Sequence, residues 1–161
     1  MYSAVDLSLL KKKHRNHGCM IIGGGEAASH IQQLKGDCEV IIGCNHHWTR
    51  YEGINPDYMV YIDPDEWPWL KDALDKFEGV TVSLLRKTNA DIRLAYNDMR
   101  EWVAVRRSGL IGIWFALQIT SRTIYLCGFD CYKGKPLYQK EFPRFRRFFK
   151  HPEWNRVVWL R

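Results

Sequence analysis

The chain has 161 residues, 46% of them hydrophobic and 26% charged, with a formal net charge of +6. That length and apolar content suit one hydrophobic core and exclude a disordered chain. The longest apolar run, Leu110 to Ile119, has ten residues. A membrane-crossing helix needs about 20, so no membrane span is expected.

Charge is unevenly placed: residues 1–17 carry +3, residues 18–132 carry −4 and residues 133–161 carry +7. Basic ends on a mildly acidic body suit nucleic acid or phosphorylated ligands, and equally a solubilising surface. The basic run Lys11-Lys12-Lys13-His14-Arg15 precedes any apolar stretch, which is not the order of a secretory signal, so a cytoplasmic location is expected. The five cysteines Cys19, Cys38, Cys44, Cys127 and Cys131 form no CxxC pair and read as buried free thiols.

The elements follow in chain order within a single expected domain, residues 1–161. A short basic helix is expected over about residues 4–15, with Val5, Leu7, Leu9 and Leu10 as its apolar face. Cys19-Met20-Ile21-Ile22, the glycines Gly23, Gly24 and Gly25, and residues 26–34 read as strand, turn and helix, the opening of a βαβ unit. Glu39 to Gly43 is a continuous apolar run of strand length, as in a parallel strand buried on both faces. A third strand, Asp57 to Ile62, ends at Asp63-Pro64-Asp65, and Pro68 sits in the first turn of a helix reaching about Phe77. A fourth strand is expected over Val80 to Leu85, a helix over Ala90 to Arg100 and a fifth strand over Glu101 to Val105. Ser108-Gly109 opens a helix apolar nearly all round, hence buried, and Thr123 to Cys127 is a central strand ending at Gly128-Phe129-Asp130. Residues 141–150 form an aromatic-faced basic helix, and Arg156 to Leu160 closes the sheet. The expected fold is therefore a Rossmann-like three-layer α/β domain with a mostly parallel sheet of about six or seven strands.

In such sheets ligands bind beyond the carboxyl ends of the strands. Five segments should meet there: Gly23 to Ser29, Asn45 to His47, Asp63 to Asp65, Ser108-Gly109, and Asp130 to Tyr138. The glycine run lets backbone approach a phosphate, or is an ordinary tight turn; it lacks both the dinucleotide fingerprint and the P-loop lysine. Asn45 offers a donor and an acceptor to a base or ribose, or simply forms a turn. Asp63 and Asp65 could face one divalent cation, although capping of the following helix competes, and no metal is assigned. His46 and His47 are candidate acid/base groups, of which only one should face the site if the segment is extended. Tyr132 and Tyr138, beside Lys133 and Lys135, could donate hydroxyl hydrogen bonds to a phosphate.

Arg107-Ser108-Gly109, the buried helix, the run Thr123 to Tyr132, and Tyr138 together resemble bacterial sialyltransferases that use CMP-sialic acid. In those enzymes a Ser-Gly helix leads to a strand ending Gly-Ile-Asp-Phe-Tyr. Residues 21–63 are similar more loosely, both to these enzymes and to the related motility-accessory and hydroxymethylpterin diphosphokinase family, which includes small bacteriophage relatives. The resemblance spans roughly residues 18–138. It implies a CMP-sugar site with no obligatory metal or cofactor. Ser108 and Gly109 would lie near the nucleotide, Asn45 near its base or ribose, and Tyr132 and Tyr138 on its phosphate. The chain departs from the family at Gly23-Gly24-Gly25-Glu26-Ala27, where those enzymes have Gly-Asn-Gly-Pro-Ser; an asparagine contact is lost and an anionic Glu26 is gained. The family's catalytic histidine lies well beyond the second tyrosine, and His151 comes too early to match it. The general base is therefore left among His46, His47 and His151.

The expected function is transfer of a sugar from a nucleotide-sugar to an acceptor hydroxyl. Two alternatives stand beside it. One is a non-catalytic module binding nucleotide or, through its basic ends, nucleic acid; the other is a pterin diphosphokinase-like enzyme using ATP and a divalent ion at Asp63. Apolar Trp and Phe faces near the C-terminus would suit a homo-oligomer.

Overall fold

A computed structural model describes residues 7–62, 68–84, 89–95, 99, 107–129 and 150–160. Seven strands make one sheet: β1 (Cys19–Ile22), β2 (Val40–Cys44), β3 (Tyr58–Tyr61), β4 (Val80–Ser83), β5 (Ile92–Arg93), β6 (Ile124–Cys127) and β7 (Val157–Trp159). Their order is β5-β4-β3-β2-β1-β6-β7, and every pairing is parallel. Four helices accompany them among the described residues: α1 (Leu7–His14), α2 (Ala28–Leu34), α3 (Pro68–Asp75) and α4 (Ser108–Ile119). The α/β class, the parallel sheet and the strand count match the sequence expectation.

Burial explains the apolar runs. All four residues of β1 and of β3 are buried, as parallel strands covered on both faces require, whereas β7 at the sheet edge is only partly buried. Cys19 and Ile21 of β1 pack with α4, while Leu7 and Leu10 of α1 close over the same cluster. Met20 and Ile22 face the other way, against Ile31 and Leu34 of α2, and Tyr61 meets Leu70 of α3. The helices thus form layers on both sides of the sheet. Nine of the twelve residues of α4 are buried, which is why its sequence shows no polar stripe. Each large apolar side chain so buried contributes about 1.5–3 kcal/mol. The end of α4 is held by Arg156, whose guanidinium donates to the carbonyls of Leu117, Thr120 and Arg122 and pairs with Glu153. A cation there satisfies carbonyls that the helix leaves without amide partners.

One element differs from expectation. Where a helix over residues 90–100 is expected, the described residues 90–95 hold none, and Ile92–Arg93 is the short edge strand β5, paired with Val82–Ser83. The Asp91 carboxylate accepts from the Thr81 amide and hydroxyl, and the Thr81 hydroxyl accepts from the Asp91 amide, locking the strand beside β4. These long-range contacts override local helix preference. The expected strand over Glu101 to Val105 and residues 141–149 of the C-terminal helix lie outside the described residues.

Carboxylates end the strands on the amino edge of the sheet. Glu39 accepts from the Gly18 amide at 2.8 Å, and Asp57 from the Ile41 amide at 2.8 Å. Asp91, which accepts from Thr81, stands on the same edge.

α1 is pinned to the sheet by His14. Its ring is 5% exposed, and its Nε2 lies 2.7 Å from the Tyr58 hydroxyl. Burial, aided by the neighbouring Asp57 charge, pushes the Tyr58 phenol up to about 12, so it stays protonated and can donate to a neutral imidazole. Burial first, then Lys13 and His17, hold the His14 pKa below the ordinary 6.5, against an opposing pull from Asp57. The unfolded chain therefore binds a proton here at a higher pH than the folded one. Stability contributed by neutral His14 is complete above about pH 6.5 and is lost as pH falls from there toward the lowered folded value. His14→Gln, which keeps a hydrogen-bonding group toward Tyr58, should flatten the fall in urea-unfolding free energy below pH 6.5; an unchanged slope would remove His14 as its source.

Candidate functional site

The chain runs outward from β1 through β2, β3, β4 and β5, then returns through α4 to lay β6 on the opposite side of β1. The order reverses between β1 and β6, and beyond the carboxyl ends of strands at such a switch point open parallel sheets bind their ligands.

The floor of this switch point is backbone packed on backbone. The Gly23 amide donates to the Cys127 carbonyl at 2.8 Å, and the Gly25 amide to the Gly128 carbonyl at 2.7 Å. A Cβ on Gly23 would lie 2.7 Å from the Gly128 oxygen, and one on Gly128 would lie 2.7 Å from the Gly25 oxygen. Gly128 also has φ of 70°, in the left-handed region. The run is therefore no cradle of three free amides: two of them are committed to the β6 side, which leaves Gly24's amide as the one not donated there. The carbonyls are held too, since Arg50 donates to Gly24 O at 3.0 Å and the Tyr51 hydroxyl to Gly25 O at 3.1 Å.

One wall comes from β2 and α4. Asn45 follows β2 with φ of 53°, a left-handed conformation that asparagine tolerates, and its amide donates to the Val60 carbonyl at 2.9 Å. That conformation turns the side chain across the edge, where Nδ2 donates to Ser108 Oγ at 2.9 Å. The Ser108 hydroxyl, accepting from Asn45, keeps its own proton to donate. Ser108 and Gly109 are the first residues of α4, and the ring of Phe129 lies 2.9 Å from where a Gly109 Cβ would be. The first helical bond runs from the Ile111 amide to the Arg107 carbonyl, so the preceding amides are those a helix cannot satisfy internally.

The histidines form the other wall. His46 and His47 start a short 3-10 turn (His47–Arg50) rather than an extended segment, with His46 at φ −87° and ψ 0°. Their ring centroids are consequently only 4.5 Å apart, which corrects the expectation that they point opposite ways. His47 Nε2 lies 3.0 Å from the Cβ position of Gly24, and His46 meets Trp69 of α3 edge-on at 5.7 Å. Burial, with the Arg50 charge adding to it, keeps the His46 pKa below its ordinary value and the ring neutral.

Of the residues singled out in the sequence, Gly23, Gly24, Gly25, Asn45, His46, His47, Ser108 and Gly109 thus share one edge. His151 does not join them: it precedes the 3-10 turn Pro152–Arg156 that leads into the start of β7, on the amino edge, where its Nδ1 accepts from the Glu153 amide at 3.2 Å. Asp63, Asp65, Asp130, Tyr132 and Tyr138 lie outside the described residues. Among the described residues no group of three His, Cys, Asp or Glu side chains could hold a metal ion, and no helix is long and apolar enough to cross a membrane. Arg50, Tyr51, Trp69 and the packing role of Gly128 were missed in the sequence, because none belongs to a motif and each matters only through a partner distant in the chain.

These features define an all-parallel α/β protein whose glycine turn, Asn45–Ser108 pair and histidine pair share the carboxyl edge at the switch point. Comparison with protein-family models and with curated proteins finds no match to the chain.

Gly128→Ala should destabilise the protein by about 1–3 kcal/mol or more, since alanine resists positive φ and its methyl meets the Gly25 backbone. Urea unfolding of this variant measures the loss; a midpoint equal to that of the parent chain would contradict the close approach.

Proposed function

We propose that the protein binds a nucleotide-linked sugar at the switch point and transfers the sugar to an acceptor hydroxyl. The single observation that carries this reading is the hydrogen bond from Asn45 to Ser108, residues 63 apart in sequence, made at the carboxyl edge that the glycine turn shares. It puts an amide, a hydroxyl and the first turn of a twelve-residue helix around one point. Such a set suits a phosphate, because helix-terminal amides and a hydroxyl donor both favour an anion. Since two glycine amides are already used by the β6 side, the phosphate falls to the Gly24 amide, the first turn of α4 and Ser108.

In glycosyl transfer, donors aimed at the leaving phosphate stabilise the charge that develops as its bond to the sugar breaks, while a base takes the acceptor proton. Neutral His46 and its neighbour His47 are the histidines at this edge able to serve as that base; His151 is excluded from the role by its place on the opposite edge. The resemblance to CMP-sialic acid-dependent enzymes favours a CMP-sugar as donor, with Tyr132 and Tyr138 as further phosphate ligands.

CMP, CMP-sugars, UDP and GDP should raise the thermal unfolding midpoint in a concentration-dependent way, because ligand bound only by the folded chain stabilises it. Asn45→Asp tolerates the same backbone conformation and can still hydrogen-bond Ser108, but adds a negative charge beside the phosphate; it should weaken nucleotide binding about tenfold, or ~1.4 kcal/mol. Full affinity in Asn45→Asp, measured by calorimetry, would move the phosphate elsewhere.

One observation favours the nucleic-acid alternative. A groove of about 450 Å³ on the amino edge is lined by Ser8, Lys11, Lys12, Arg15, Asn16 and Ser121, with three cations and no acid. If this groove tracks a phosphate backbone, binding of single-stranded RNA should fall steeply with salt. Lys11→Gln with Lys12→Gln, which leaves two phosphates without a neutralising cation, should then reduce the slope of log affinity against log salt by about 1.4. A salt-insensitive titration would eliminate this alternative.

A further inference from the structure

We propose that Trp69, backed by His46, is the platform on which the base of a bound nucleotide stacks; this rests on the nucleotide reading of the carboxyl edge and assigns its second end. Three observations converge on it. Trp69 is 47% exposed, more than any large apolar side chain among the described residues but Leu9, and it lies in the first turn of α3. Its ring meets that of His46 at an interplanar angle of 66°, so the pair forms an open corner rather than a closed stack. From that corner a continuous line of contact runs to the glycine floor: His46 to His47 at 4.5 Å between centroids, and His47 Nε2 to the Gly24 Cβ position at 3.0 Å.

The chemistry of the two ends differs. At the Gly24 and Ser108 end, amides and a hydroxyl favour an anion. At the Trp69 end there is a large aromatic face and a ring whose Nδ1 is buried without a hydrogen-bond partner among the described residues. With its pKa held down by burial, His46 is neutral and presents a flat surface, not a cation that would draw the phosphate to the wrong end. A ligand matched to both ends carries a planar heterocycle and a phosphate joined by a short polar linker, which is the layout of a nucleotide. Stacking also tolerates any base, because every base offers a π face. The base itself is then selected by groups at its edge.

α3 is anchored to the sheet by Leu70 and Ala73, which are 1% and 4% exposed, whereas Trp69 keeps 47% of its surface open.

The test compares the full-length chain with Trp69→Ala and Trp69→Phe, titrated calorimetrically with CMP, UDP, GDP and ribose 5-phosphate. Loss of one base stack corresponds to roughly five- to 150-fold in affinity. The expected result is that Trp69→Ala loses at least fivefold in nucleotide affinity, Trp69→Phe recovers most of it, and ribose 5-phosphate binds all three chains alike. The proposal is overturned if Trp69→Ala binds nucleotides as the parent does, or if it loses ribose 5-phosphate affinity in the same proportion. A parent chain that binds ribose 5-phosphate as tightly as nucleotides also overturns it while leaving the phosphate site standing. Binding of neither ligand by the parent chain sinks the nucleotide reading, and the platform with it. Thermal unfolding of Trp69→Ala within a few degrees of the parent ensures that affinity, not folding, is being read.

Discussion

The close approach of the turns leaving β1 and β6 is the constraint on which the rest depends. Two amides of the glycine run reach across to carbonyls of the β6 side, and side chains at Gly23 or Gly128 would collide with main chain that cannot move aside. The two strands are neighbours where the winding reverses, so this contact sits at the switch point itself. It also fixes how the turn after β6 presents Phe129 to the start of α4. The glycines are consequently structural before they are anything else. Any phosphate bound beside them is held largely by other groups.

The two edges of the sheet are chemically unlike. On the amino edge, Glu39, Asp57 and Asp91 satisfy amides at strand starts, and backbone donors hold the Glu39 carboxyl below the ordinary range. The cations of α1 gather on this edge as well, around the shallow groove beside Ser121. On the carboxyl edge stand the glycine floor, the Asn45–Ser108 pair and the histidine–tryptophan corner. Anion-favouring amides and a neutral aromatic corner thus share one edge with Glu26, which follows the glycine turn, while Glu39, Asp57 and Asp91 are tied down on the other. α4 connects the two: its apolar length is clamped under the sheet, with Arg156 at its end on the amino side and Ser108 at its start on the carboxyl side.

The buried strands were legible because continuous runs such as Cys19 to Ile22 and Val40 to Ile42 are too short for independent helices and too apolar for surface. α4 was legible for the related reason that a helix without a polar face must be enclosed. The helix expected over residues 90–100 gave way to β5, because the pairing of Ile92 and Arg93 with β4 depends on Thr81, a residue outside the local window. The histidine pair was misjudged for a similar reason. Opposite-facing side chains presuppose extended backbone, but the left-handed turn at Asn45 delivers His46 into a helical conformation.

By itself the amino-acid sequence determined the class of fold, the parallel strands and the rule that polar residues after them share an edge, since all three follow from short-range patterns of apolar and turn-forming residues. Only the tertiary structure decided which of those residues meet. Asn45 with Ser108, Gly23 with Gly128, and His46 with Trp69 are contacts between segments joined by no local pattern. Strand order sets them, and strand order is decided by how whole layers pack, a property no stretch of chain carries alone.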